Sequence, residues 1–369
     1  MLCRCPGCAI IHGMDEQKRQ EDIERLRGCV APLLDWYARC RRPLPWRDAP
    51  TPYRVWISEI MLQQTRIEAV IPYYERFLRE LPTVEALAAV PEERLLKLWE
   101  GPGYYSRARN LQKAARTLVR DFGGELPRSA AALKKLPGIG AYTAGAIASI
   151  AFGEPEPAVD GNVLRVIMRL TACGDDVLAA ATRERVTRQL RQVYPGGREA
   201  GLLTEGLMEL GETVCIPNGE ARCALCPLRE RCRAFAGGTV DSYPVRSAKK
   251  ERRREHRAVL LLRCGGLWAV RRREDRGLLA GMWEFPGFPG EADESGVRAY
   301  LRGIGVEPVS AAPCGRARHI FTHVEWEMRG WLVDCTAAEG EGLIWLTAEE
   351  IESRCALPTA FQKFWKYLV

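Results

Sequence analysis

The sequence predicts a multidomain protein, an all-α region followed by a smaller α+β domain, on three observations. At 369 residues the chain exceeds what one hydrophobic core usually serves. From Glu21 to Asp241 apolar residues recur at three- and four-residue spacing between Pro and Gly punctuation, which is the period of helices. Beyond a polar connector at 237–256 the texture changes: Val259–Arg263 and Leu267–Arg271 read as strands separated by Cys264, Gly265 and Gly266, the composition of a tight hairpin.

Hydrophobic residues make up 47% and charged residues 27%, and no apolar run is long enough to cross a bilayer, so an integral membrane protein is excluded. The formal charge of +7 suits an anionic partner without identifying one. Fourteen cysteines in a long chain with no apolar leader point to a reducing cytoplasm rather than a disulfide framework. Cys3, Cys5 and Cys8 offer three ligands and no evident fourth, so residues 1–20 are expected to be an unstructured extension without a metal.

Within the all-α region, Pro52–Arg66 has helical periodicity, and Glu59 shares a face with Val55, Trp56 and Leu62. A carboxylate on an apolar stripe is either a buried acid satisfied by a cation or a group whose proton affinity is raised by desolvation, as a general acid requires. Next, Leu136–Ala144 joins one helical run ending near Leu133 to another from Thr143 to Ile150. Gly138 and Gly140 there allow a tight turn whose N–H groups face a phosphate, a helix-hairpin-helix pattern for gripping DNA irrespective of sequence. Asp160 precedes the apolar run Val163–Leu170 and is the expected N-cap of that helix.

Cys215, Cys223, Cys226 and Cys232 are separated by seven, two and five residues, spacing that makes them share one metal centre. Four thiolates suit structural zinc or an iron–sulfur cluster. Arg222, Arg229, Arg231 and Arg233 interleave them and give the loop a positive face. The connector that follows crowds Lys249, Lys250, Arg252, Arg253 and Arg254 and reads as a solvated basic tether. In the last domain, Trp331–Asp334 and Leu343–Leu346 look like further strands, and Glu349–Cys355 and Ala360–Leu368 like short helices.

Several of these segments resemble one family. Trp46-Arg47, the run Ser58–Thr65, the hairpin, Ala158–Val163 and the four cysteines are similar to the MutY-type adenine DNA glycosylases of the endonuclease III superfamily, in order and spacing, from about Asp35 to Leu368. The resemblance implies a six-helix barrel over about 46–159, a [4Fe–4S] module built from 21–45 and 160–236, the linker 237–256, and a MutT-like (Nudix-like) domain at 257–369. It implies Glu59 as acid, Asp160 as the partner of the sugar cation, and Asn162 as the residue that orients Asp160. Tyr142 stands where strand-cutting relatives carry a Schiff-base lysine, so the activity is expected to stop at an abasic site. Arg47 and Glu205 are expected to position adenine and water, and Leu62, Gln64, Thr65 and Tyr104 to meet the DNA, with Gln64 and Tyr104 wedged into the stack.

Two departures stand out: the first gap between cysteines is one residue longer than is usual, and Pro102 replaces an apolar residue beside Tyr104. Gly277–Pro286 resembles the opening of a Nudix domain, yet the helix after it lacks the row of glutamates that holds magnesium, so binding rather than hydrolysis is expected. Phe321, Thr322 and His323 resemble the family loop that recognises 8-oxoguanine, with Thr322 in place of the usual serine. The expected partner is double-stranded DNA carrying A·8-oxoG or A·G mispairs, bound by a monomer in the nucleoid.

Overall fold

The structure, a computed structural model, describes residues 6–101, 103–247 and 251–368, with side chains from residue 16 onward. The readings placed on Cys3, Cys5, Pro102, Lys249 and Lys250 lie outside the described residues, and the side chain of Cys8 outside the described side chains. By Cα proximity the chain divides into two units, Met1–Ala89 with Asn110–Ala248, and Val90–Arg109 with Lys249–Val369. The sequence places 90–109 within the helical region; the structure groups it with the second unit. No helix of the described residues is long and apolar enough to cross a membrane.

The first unit is helical. Its first helix, Pro6–Cys40, takes in residues that the sequence assigns to an unstructured extension. The reason is local: Glu16–Arg27 is almost entirely Gln, Glu, Lys, Arg and Leu, all strong helix formers. Leu26 and Leu33 on its inner face join Val163, Ile167, Leu203 and Leu207 in one core, so this helix packs with two much later ones, Gly161–Thr171 and Arg198–Thr213. Each such fully buried side chain stabilises the fold by about 1.5–3 kcal/mol. The last two helices approach closely because residue 211 is glycine: a Cβ there would lie 2.7 Å from that of Asn162.

Two helix starts fix the site. Thr51 caps the helix Pro52–Leu62 by accepting from the Arg54 amide at 3.3 Å, and Pro52 occupies its first turn, where no N–H is needed. Asp160 caps Gly161–Thr171 by accepting from the Val163 amide at 2.7 Å.

Among the described residues, the main part of the second unit is a seven-stranded mixed sheet: β1 (Arg253–Cys264), β2 (Leu267–Arg272), β3 (Trp283–Glu284), β4 (Gly287–Pro289), β5 (Pro308–Ile320), β6 (Val324–Cys335) and β7 (Ile344–Leu346). The central path runs β3-β2-β1-β6-β5, with β4 on β1 and β7 on β2. β1 and β6 are parallel, and β5 and β6 form a long antiparallel hairpin. Along β1, Ala258, Leu260 and Leu262 face the helix Glu294–Gly303 through Val297 and Leu301, whereas Val259 and Leu261 face Ile351, Phe361 and Phe364. Both faces are covered, so the strand reads as a continuous apolar run rather than an alternation.

β1 begins at Arg253, six residues before the expected strand and inside the expected linker, because backbone pairing with β6 starts at Arg253↔Val324 and needs no apolar side chain. The 13-residue β5 has no counterpart in the sequence reading. Pro313 and Gly315 and two register shifts hide its periodicity.

Candidate active site

Glu59, Tyr142, Asp160 and Asn162 converge on one cavity of about 110 Å³ in the helical unit, and Arg47, Leu62, Thr65 and Glu205 line it with them. Glu59 comes from the Pro52–Leu62 helix, Asp160 and Asn162 from the start of Gly161–Thr171, and Tyr142 from the short helix after the glycine hairpin. Thus segments far apart in the chain meet at two carboxyl groups.

Glu59 is only 6% exposed. Burial pushes its carboxyl up to about 7; the Tyr142 hydroxyl, which donates to Oε2 at 2.6 Å, opposes the shift, and the negative charges of Asp160 and Glu205 add to it. Burial also raises Asp160, but that carboxylate accepts from the Val163 amide (2.7 Å) and from Asn162 Nδ2 (3.0 Å), with the Arg165 guanidinium nearby. Glu59 accepts from a single phenol, with the Arg47 charge acting more weakly, whereas Asp160 accepts from two donors and has the Arg165 charge beside it. Of the coupled pair, the proton therefore belongs on Glu59 and the charge on Asp160. Burial first, then Glu59 and Asp160, hold Tyr142 far above its ordinary value, so it acts as a neutral donor.

Residues the sequence reading missed frame the cavity. The buried Tyr37 donates to Glu205 Oε2 at 2.9 Å. Glu209, 1% exposed, accepts from Arg47 Nη2 at 2.8 Å and from Arg42. Arg165 donates to Asn162 Oδ1 (2.9 Å) and to the carbonyls of Gly211 and Cys215 (2.7 Å each). Of these only Arg165 left a signal, as one of two cations, with Arg169, inside the apolar run Val163–Leu170.

The hairpin turns at Gly138, where two features demand glycine: its φ is +77°, and a Cβ on it would lie 2.6 Å from the side chain of Asn110. Gly140 differs from expectation: neither its φ nor any close neighbour demands glycine, since a Cβ there would meet nothing within 4 Å. Gln64 does not line the cavity; it is exposed at φ +61°. Tyr104, in the second unit, is 46% exposed at φ +50°. In the same unit Phe321, Thr322 and His323 form the β5–β6 turn; Phe321 is half-buried and meets the Trp326 ring edge-on at 4.8 Å, while Thr322 and His323 are exposed.

Cys215, Cys223, Cys226 and Cys232 line a second, apolar pocket with Val166, Leu170 and Leu228. Arg169 Nη1 donates to Cys215 Sγ at 3.3 Å. Burial, and then the other three sulfurs, push the Cys226 thiol up to about 12, so four thiolates fit here only around a positive centre. Among the described residues no three His, Cys, Asp or Glu side chains close on a single metal ion. The expected positive face is smaller than four arginines: Arg233 pairs with Glu21 and Asp22, and Arg229 with Glu230, leaving Arg222 and Arg231 exposed.

Comparison with known proteins bears on both units. Residues 57–195 match the model of the HhH-GPD superfamily base excision DNA repair proteins, and residues 258–367 match the NUDIX domain. Over 96% of its length the chain is 33% identical to an adenine DNA glycosylase of Mus musculus, covering 83% of that protein. To the Homo sapiens adenine DNA glycosylase it is 32% identical, over 99% of this chain and 80% of the other. A thermostable thymine-DNA glycosylase of known structure superposes on 58% of this chain and 98% of its own, with a TM-score of 0.52 and 28% identity.

Proposed function

Because the chain belongs to the adenine DNA glycosylases, hydrolases acting on N-glycosyl bonds, we propose that it removes adenine mispaired with 8-oxoguanine or guanine in double-stranded DNA and leaves an abasic site. The observation that carries this reading is the cavity in which burial pushes the Glu59 carboxyl up to about 7 beside Asp160, whose carboxyl accepts from the Val163 amide and Asn162.

An adenine leaves a sugar only when its ring accepts a proton, since the departing anion is otherwise too basic. Glu59 donates to N7, the C1′–N9 bond breaks with its electron pair going to the base, and Asp160 offsets the positive charge on the sugar. Water adds to C1′, and its released proton restores the carboxyl pair. General acid catalysis of this kind contributes about 10²–10⁴-fold. Asn162 orients Asp160, Tyr142 orients Glu59, and Arg47 and Glu205 position the base and water; Tyr142 has no amine for an imine, so strand cleavage does not follow. Extruding the base costs a few kcal/mol, which mispairing lowers and which Leu62, Gln64, Thr65 and Tyr104 offset by meeting the DNA around the lesion. The hairpin amides at Gly138 and Gly140 hold phosphate.

The four cysteines are read as ligands of a [4Fe–4S] cluster, which when bound ties their loop to the two core helices; no step of the reaction passes through it. Phe321, Thr322 and His323 are read as the contact to the opposite 8-oxoguanine. The test uses a duplex bearing adenine opposite 8-oxoguanine. Strand breaks only after hot alkali support the reading, breaks without alkali point to a lyase, and an intact strand in both arms contradicts it.

A further inference from the structure

We propose that a basic groove beside the glycine hairpin carries the phosphodiester backbone of the DNA strand whose base enters the catalytic cavity. The inference rests on the glycosylase reading above and adds a surface to it. The groove, about 350 Å³, runs from Ala141 and Tyr142 to the side of the helix Ala180–Arg191. Tyr142 lines both the groove and the catalytic cavity, so the two adjoin at that residue. A nucleotide with its base in the cavity leaves its sugar and phosphate at the groove's mouth.

Charge selects the occupant. Lys134, Arg183, Arg188 and Arg191 line the groove against Glu156 and Glu184. Arg191 and Glu156 pair with each other, which leaves three cations facing one acid. Lys134 and Arg188 are exposed and have no ion-pair partner among the described residues, and Arg183 is anchored by donating to the Val159 carbonyl at 2.6 Å, next to Asp160. On the other side of the same helix Arg185 is paired with Asp175 at 2.8 Å. Thus the cation of this helix that points away is neutralised, whereas two of its three groove-lining cations, Arg183 and Arg188, have no ion-pair partner among the described residues. A face that were merely solvated has no reason for that asymmetry; a polyanion supplies one.

Each phosphate neutralised by a cation contributes about 0.9 to the slope of log K against log salt concentration. The experiment measures binding, across a potassium chloride series, to a duplex whose target adenosine carries a 2′-fluorine, which disfavours the sugar cation and keeps the substrate intact. Arg188→Gln, a substitution with no internal partner to lose, is expected to reduce the slope by about 0.9, and Arg183→Gln with Arg188→Gln by about 1.8. Arg120→Gln, outside the groove and paired with Asp121, leaves the slope at the wild-type value. An unchanged slope in Arg188→Gln overturns the groove while the glycosylase reading stands. A wild-type protein that does not bind the duplex overturns both.

Discussion

Each unit of this protein buries glutamates, and two of them, one from each unit, are held in opposite ways. Glu59, in the helical unit, is 6% exposed and has one neutral hydroxyl against it, with no cation in direct contact among the described residues. Glu284, in the sheet unit, is 4% exposed and is gripped by Arg271 at 2.9 Å and by Arg273. Burial without a cation leaves a carboxyl that keeps its proton to about pH 7 and can give it away. Burial between two guanidinium groups fixes a carboxylate as part of the scaffold, since its charge is already answered. On the proposed function the same side chain is a reagent in one unit and a rivet in the other.

Four substitutions break or sharpen that contrast. The largest effect is expected from Glu59→Gln, which keeps the shape and removes the proton: single-turnover excision should fall about 10²–10⁴-fold, while the urea midpoint stays near wild type. Glu284→Gln should do the reverse. It strands two arginines, costs the sheet unit roughly 3 kcal/mol as read by denaturant unfolding, and leaves the excision rate of the folded protein unchanged. A Glu284→Gln protein as stable as wild type removes the contrast. Tyr142→Phe deletes the hydrogen bond that opposes the Glu59 shift, so the alkaline limb of the pH–rate profile should move upward, whereas a downward move contradicts the role given to that hydroxyl. The smallest effect belongs to a scaffold site. Thr347 and Glu350 form a reciprocal capping box, and Thr347→Ala should lower stability by about 1 kcal/mol in the same unfolding measurement without altering excision.

What was legible in the sequence was local. The spacing of Val55, Trp56, Glu59 and Leu62, the glycine hairpin and the Asp160 cap are short-range patterns, and the structure places Glu59, Tyr142 and Asp160 in one cavity. The supports of that cavity were not legible, because they come from far away: Tyr37 reaches Glu205 across 168 positions, and Arg42 and Arg47 reach Glu209 across more than 160. No periodicity or motif records such a pairing. The sheet unit shows the same limit. The Gly265-Gly266 turn between β1 and β2 stood out because two positive-φ glycines mark it, whereas β5 did not, since Pro313 and Gly315 break the alternation that marks a strand.

The central claim is that Glu59 enters the reaction protonated, and the pH dependence of single-turnover excision at saturating protein tests it most directly. A proton donor whose folded-state value lies near 7 is charged and inactive above it, so the rate should hold at the acid side of neutrality and fall toward tenfold per pH unit once pH rises through about 7. A wild-type rate that runs flat through neutrality into the alkaline range contradicts the account.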